Sequence, residues 1–142
     1  MAQGGCSIPR SNIRAAFPCE VERVWKIVTD LSDWSWRSDL SRIETAGDGQ
    51  FIEYTTEGYP TTFTVTAMEP RRRWEFDMDN TNMRGHWTGT FVQNGANAEV
   101  SFTEDVTAKK LLLKPFVRTY LKKQQANYMR DLKKALERPV DP

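Results

Sequence analysis

Between Ser41 and Val106 the chain divides into six short segments that alternate apolar and polar residues, and this pattern constrains its fold more than any other. Successive side chains of a strand point to opposite faces, so period-two alternation describes a sheet with one apolar face. In "RWEFDMD" the residues Trp74, Phe76 and Met78 oppose Arg73, Glu75, Asp77 and Asp79. "NMRGHWTGTFVQ" sets Met83, Trp87 and Phe91 on one side, and "AEVSFTEDV" does the same with Val100, Phe102 and Val106. "SRIET", "QFIEYTTE" and "TTFTVTAME" complete the series. Connectors such as "DNTN" and "NGANA" are rich in the residues that make tight turns. Links this short join antiparallel neighbours, because parallel pairing needs a long crossover. The stretch predicts an antiparallel meander.

A sheet with one apolar face needs a cover, and the C-terminal region supplies one. "KPFVRTYLKKQQANYMRDLKKALE" has no glycine or proline after Pro115. Val117, Tyr120, Gln124, Tyr128, Leu132 and Ala135 follow helical spacing, with Leu121, Met129 and Leu136 widening the stripe. About 22 helical residues would reach roughly 33 Å, enough to cross a small domain. Upstream, "SNIRAAF" predicts a first strand, with Ile13, Ala15 and Phe17 on one face. Pro18 ends it. "CEVERVWKIVTDL" then places Val21, Val24, Trp25, Val28 and Leu31 along one face of an amphipathic helix, with Glu20 and Glu22 favourably placed in its first turn. The order is strand, helix, short connection, six strands, long helix, which is an α+β architecture.

The 142 residues suit one domain, long enough to bury roughly 68% of its unfolded surface. Residues 1–9 are expected to form a loose leader and residues 10–138 the domain. A net charge of +1 argues against a dedicated nucleic-acid binder. Cys6 and Cys19 make no disulfide framework and lack metal-ligand spacing, which favours a reducing, intracellular setting. "MAQGGCSIPR" has no apolar run to serve as a signal peptide, and no window is apolar enough to span a bilayer. The expected location is the cytoplasm.

Several local patterns resemble the START-like superfamily, also called the SRPBCC or polyketide cyclase/dehydratase family. They are "PCEVERVWKIVTDLSDWSWRSDL", a Val-Trp helix running into a tryptophan-bearing bend; "QNGANAEVSF", a glycine-centred turn before the last strand; and the long Leu-, Lys- and Arg-rich helix. The match runs from about Ile13 to Leu136. Ser35 stands where a proline is common, and Asn97-Ala98-Glu99 where Gly-Thr-Arg is common. Neither departure touches the fold, but both leave the motif too loose to carry a specific function. The resemblance implies a helix-grip fold, in which a curved antiparallel sheet of about seven strands wraps around the C-terminal helix, with a short helical region after the first strand. It also implies a deep apolar cavity between sheet and helix.

Five tryptophans and seven phenylalanines give this chain much apolar volume. Large rings on a curved sheet either fill its concave face or line a cavity within it. Trp25 is expected in the core, and Trp74 and Trp87 suit either role. Trp36 matches the family's bend tryptophan near the cavity entrance, whereas Trp34 has no counterpart and is either partly exposed or a second part of a lid. Candidate ligand contacts are Trp36 in the bend, Tyr54, Phe63, Trp74 and Phe76 on the earlier strands, and Trp87, Phe91 and Phe102 on the later ones. Phe116 and Tyr120 complete the set.

The chemistry-bearing residues are few. His86 is the only histidine, and its parity sets it opposite Trp87, toward solvent if Trp87 points inward. No HExxH and no Gly-rich phosphate loop is present, so neither a metal nor a cofactor is expected. Glu53, Glu75 and Glu104 lie on strands. Glu104 shares parity with Val100 and Phe102 and is the acid expected to face inward, where it would need Arg, Tyr or Thr nearby. No residue is assigned as catalytic, and Glu104 and His86 are the weak candidates. Between Lys109 and Lys134 nine Lys or Arg residues accompany one acid, Asp131. They form either a solvated face or a peripheral contact with an anionic membrane, in which "LLLKPF" dips into the interface or serves as a mobile gate. A contact between two copies competes for the same apolar patch, so the chain is expected to be a monomer or a weak homodimer.

The expected function is binding or transport of a small hydrophobic molecule such as a lipid, quinone or polyketide-like compound. The first alternative is a cyclase/dehydratase-type enzyme using an in-cavity carboxylate or His86. The second is a membrane- or partner-docking module using the basic helix.

Overall fold

The structure is a computed structural model that describes residues 10–139; the leader expected over 1–9, with Cys6, lies outside the described residues. Seven strands form one sheet: β1 (Arg10–Phe17), β2 (Leu40–Thr45), β3 (Gln50–Thr55), β4 (Pro60–Glu69), β5 (Arg73–Asp79), β6 (Met83–Asn94) and β7 (Asn97–Ala108). Their order is β1-β7-β6-β5-β4-β3-β2, and every pairing is antiparallel. The meander from β2 to β7 thus follows chain order, and β1 closes on β7. Asn94 pairs with Asn97, so the β6–β7 turn is as short as a hairpin allows, and Gly95 takes φ +61° there. Register shifts between Leu40 and Arg42 and between Val65 and Ala67 bend β2 and β4, curving the sheet.

Helix α1 (Val21–Thr29) follows β1, and its first free amide, Val21 N–H, donates to Gln93 Oε1 at 2.6 Å. A side chain of the sheet therefore caps a helix that has no cap of its own. In the bend beyond, Asp30 Oδ1 accepts from Ser32, and Asp33 Oδ1 repeats the turn with Ser35. The C-terminal helix α2 spans Val117–Leu136, so its 20 residues reach about 30 Å. It starts at Val117, the first residue of its apolar stripe, and Leu111–Phe116 forms a 3-10 turn ahead of it with Pro115 inside.

Apolar stacking and two polar ties hold α2 in the sheet's grip. Ser11 Oγ donates to Gln125 Oε1 at 2.7 Å, and Gln125 Nε2 donates back to Ser11 O at 3.0 Å, fixing the helix to β1. Asp131, only 6% exposed, accepts from Ser38 N–H and Ser38 Oγ at 2.8 Å each, fixing the helix to the bend. On the concave face Phe51 stacks on Phe63 at 4.8 Å, and Phe76 stacks on Trp87 at 4.8 Å with planes 2° apart. Gly89 makes the second stack possible. A Cβ there would sit 2.4 Å from the Trp87 ring, which folds back over this glycine.

Candidate functional site

The concave face does not close completely. A cavity of about 290 Å³ remains between the sheet, α2 and the bend. Its apolar wall comes from Trp36 of the bend and from Phe63, Trp74, Phe76, Trp87 and Phe102 of the strands. Exposed residues that also line it mark its openings: Asp30 and Asp33 by the bend, Arg84 and Tyr120 by β6 and α2.

Seven of the ten residues expected to contact a ligand line this space: the six just named and Tyr120. Three do not. Tyr54 points to the outer face, because β3 turns Phe51 and Glu53 inward; its hydroxyl donates to Glu44 at 2.8 Å and its ring lies under Arg42. Phe91 does face inward, but Trp25 at 5.1 Å and Phe102 at 5.8 Å close that end of the sheet into core. Phe116 sits outside the cavity on the 3-10 turn, 66% exposed. Both indoles of "DWSW" line the cavity. Trp36 is buried, with its edge toward Tyr128 at 5.3 Å, and Trp34 is half-buried, its Nε1 donating to Ser41 O.

His86 lies on the convex face, away from the cavity. Its ring is held between Asp77 Oδ1 and Glu75 Oε1, each at 2.7 Å. Partial burial works against its charge, but the two carboxylates outweigh that and raise its pKa above the ordinary value. A mechanism with His86 as the in-cavity base is corrected by this geometry, since strand parity commits the imidazole to the side opposite Trp87. Among the described residues no cluster of His, Cys, Asp and Glu is arranged to hold a metal ion.

The polar centre of the cavity is a cluster that sequence alone did not assemble. Arg37, from the bend, donates through Nε and Nη2 to Asp39 at 3.0 and 3.1 Å, and through Nη1 and Nη2 to Glu53 at 3.4 Å. Its guanidinium lies over the Tyr128 ring, 4.7 Å from the centroid, with Trp36 at 5.7 Å. Burial opposes the charge, but Glu53, Tyr128 and Asp39 together hold the guanidinium firmly protonated. Burial likewise pushes the Glu53 carboxyl up, with Arg37 pulling against it. The phenol of Tyr128 is raised by burial as well. β3 turns Glu53 inward with Phe51, although Glu104 was the acid expected there; as a strand acid Glu53 was visible. Its partner was not, because Arg37 comes from an irregular bend with no periodicity to set its direction.

Glu104 projects from β7 into the same space, opposite Trp87 in register. Among the described residues its carboxyl has no hydrogen-bond partner, and the surface it retains opens onto the cavity. Burial is the main influence on it. Arg37 pulls its pKa down and Glu53 pushes it up, and the result is about 7. A carboxyl with that pKa holds or releases its proton near neutrality, so it can act as hydrogen-bond donor, acceptor, or acid and base. Trp74 Nε1 is the one buried side-chain nitrogen or oxygen without a partner among the described residues.

Outside the cavity, the 3-10 turn presents Leu111, Leu112 and Phe116 at 77, 86 and 66% exposure. Lys110, Lys114 and Arg118 are exposed around them. Lys110 Nζ donates to Asn82 Oδ1 at 3.0 Å, and Asn82 lines the cavity, so this apolar turn adjoins the cavity's edge. No helix among the described residues is long and apolar enough to cross a membrane.

A family model described as polyketide cyclase / dehydrase and lipid transport matches residues 11–137. No curated protein matches the chain. Solved structures share its fold at low identity. A START superfamily protein from Mycobacterium smegmatis is 12% identical with a TM-score of 0.79, over 90% of this chain and 97% of that one. A conserved protein from Geobacillus kaustophilus is 13% identical with a TM-score of 0.76, over 89% and 93%. DynU16, from the dynemicin biosynthetic locus, is 15% identical with a TM-score of 0.75, over 91% of this chain and 47% of that longer one.

Proposed function

The chain belongs to the polyketide cyclase / dehydrase and lipid transport family, and on that premise we propose that it holds a small hydrophobic molecule in the cavity between the sheet and α2, as a carrier or sensor. The observation that carries this reading is an aromatic-walled space between the sheet and α2, into which Arg37, Asp39, Glu53 and Glu104 project. At about 290 Å³ it lies at the lower end of small-molecule pockets, which run from roughly 300 to 1,000 Å³. A single ring system or one chain fits that space better than a diacyl lipid, which favours a polyketide-like compound, a quinone head or a single-chain lipid. Mass spectrometry of extracts from natively purified protein, with displacement of an environment-sensitive fluorophore, tests the reading. A co-purifying apolar compound that also displaces the fluorophore supports it. No ligand and no saturable binding across a broad panel would overturn it.

A second reading rests on Glu104, a carboxyl facing the cavity without a hydrogen-bond partner among the described residues and with a pKa of about 7. It would serve as general acid or base in a cyclisation or dehydration of a polyketide-like substrate. Turnover of a poly-β-ketone that Glu104→Gln abolishes, while binding persists, supports catalysis. Binding without turnover returns the protein to the carrier class.

The 3-10 turn extends the carrier reading to an anionic membrane surface. Its exposed leucines would enter the interface, and each nearby basic residue would add on the order of 1 kcal/mol. Charge complementarity supports this occupant, since no acidic residue interrupts the chain from Lys109 to Arg130. Co-sedimentation with vesicles containing phosphatidylglycerol, weakened by salt and lost in Leu112→Ser, supports it. Concentration-dependent dimerisation lost in the same variant, without vesicle binding, reassigns the patch to a second copy of this chain.

A further inference from the structure

The ionic cluster in the cavity says something about the ligand itself. Of the charged residues lining the space, five are acids (Asp30, Asp33, Asp39, Glu53 and Glu104) and two are bases (Arg37 and Arg84). Arg84 is exposed at an opening. Among the described residues Arg37 is the only deep cation, and two carboxylates already occupy it through four contacts of 3.0 to 3.4 Å. Aromatic rings of Tyr128 and Trp36 lie on it as well. Deep in the cavity a ligand carboxylate would find no unpaired positive partner, and to reach Arg37 it would have to displace Asp39 or Glu53 and leave a buried charge uncompensated.

The groups that do lack partners are of another kind. Glu104 faces the cavity with no hydrogen bond, and burial keeps its carboxyl partly protonated near neutral pH. In that state it offers both an O–H donor and an acceptor oxygen. Tyr120 and Gln124 of α2 line the cavity too and bond to each other, Gln124 Nε2 donating to Tyr120 Oη at 3.2 Å. Aromatic walls with one unpartnered deep carboxyl suit a molecule that is uncharged and carries a hydroxyl or a carbonyl.

We propose that the cavity selects its ligand by charge: it admits an uncharged alcohol, phenol or ketone that pairs with Glu104, and it turns away the carboxylate of the same size. This rests on the carrier reading above, and it separates this chain's preference from that of a fatty-acid binder, whose pocket must keep a cation available.

N-phenyl-1-naphthylamine, an uncharged fluorophore, serves as reporter, and 1-decanol and decanoate compete against it. A plain apolar pocket also prefers the alcohol, so the decisive quantity is how that preference changes when Glu104 loses its charge. At about pH 8 the carboxyl is mostly ionised, and decanol should displace the reporter at concentrations at least roughly tenfold below decanoate. In Glu104→Gln the ratio should fall by roughly fivefold or more, chiefly through better decanoate binding. Glu44→Gln, which removes an exposed carboxylate of the outer face, should leave it unchanged. A ratio that is the same in parent and Glu104→Gln, equal or stronger binding of decanoate to the parent, or an equal change in Glu44→Gln overturns the proposal while leaving the cavity a binding site. Reporter binding that neither competitor displaces also overturns it. Failure of the reporter to bind overturns the carrier reading with it. Far-UV circular dichroism and reporter affinity confirm that the variants fold.

Discussion

At the residue scale, the cavity's behaviour follows from which charges are compensated. Arg37 pairs with both Asp39 and Glu53 where none of the three is well hydrated. Removing one partner of a buried ionic cluster leaves an unpaired charge, which costs about 3–5 kcal/mol. Arg37→Met should therefore destabilise the fold by about that amount in urea titrations, and adding Glu53→Gln should recover part of the loss. Full additivity of the two changes would show that the residues do not act as a unit. Glu104 presents the opposite case. Its folded pKa of about 7 lies above the ordinary carboxyl value of 4.5, so the fold binds this proton more tightly than the unfolded chain does. The group's contribution is most favourable at low pH, declines as pH rises from about 4.5 through about 7, and then stays constant. The ionised form costs about 3 kcal/mol at most. Glu104→Gln should match the parent near about pH 4.5 and exceed its stability by about 2–3 kcal/mol at about pH 8. A pH-independent difference between them would place Glu104 in contact with water.

At the scale of elements, α2 acts as cover, wall and tether. Its buried stripe seals one end of the sheet, Tyr120, Gln124 and Tyr128 form part of the cavity wall, and Asp131 holds the bend through Ser38. Because that bend carries Trp36 and Arg37, losing the tether should loosen both the apolar wall and the ionic centre. Asp131→Ala leaves Ser38 N–H unpaired and should cost about 1–3 kcal/mol. It should also weaken reporter binding more than an equally destabilising change in the distant β6–β7 turn, measured by fluorescence titration on both. The wall made by β6 depends on a missing side chain. Gly89→Ala brings a Cβ against the Trp87 ring and should shift tryptophan emission along with a loss of about 1–3 kcal/mol.

At the scale of the whole molecule, a ligand seated among the rings of the cavity would add contacts to the folded state alone. A ligand that binds only the folded state stabilises it by about 2.7 kcal/mol at a hundredfold excess over Kd. For a domain of this size that means a rise in Tm of several degrees. A true ligand should raise Tm in step with its concentration, and the rise should vanish in a Trp36→Ala variant. If Trp36→Ala lowers stability but leaves the ligand-induced rise intact, Trp36 closes the end of the core and does not contact the ligand.

Much of the fold was legible because its signals are local. Period-two alternation set the strands, short Asn- and Gly-rich links set their antiparallel order, and a long stripe free of glycine and proline set α2. The same parity placed Glu104 on the concave face and His86 on the convex one. Alternation along a strand states which face a side chain takes, but it does not state what meets it there. Phe91 and Trp87 share a face of β6, yet Trp25 seals one while the cavity borders the other. Tyr54 and Phe116 looked like cavity aromatics by type alone, and register and the 3-10 turn put them outside. The cluster of Arg37 with Asp39, Glu53 and Tyr128 joins the bend, β3 and α2, residues far apart in the chain, and no local pattern encodes such a meeting. The sequence by itself therefore determined the elements, their antiparallel order and, where alternation was followed, the face a strand residue occupies, since these follow from backbone geometry repeated over a few residues. Tertiary structure alone decided which space stays open and which charges are paired within it, because both depend on how distant elements pack against one another.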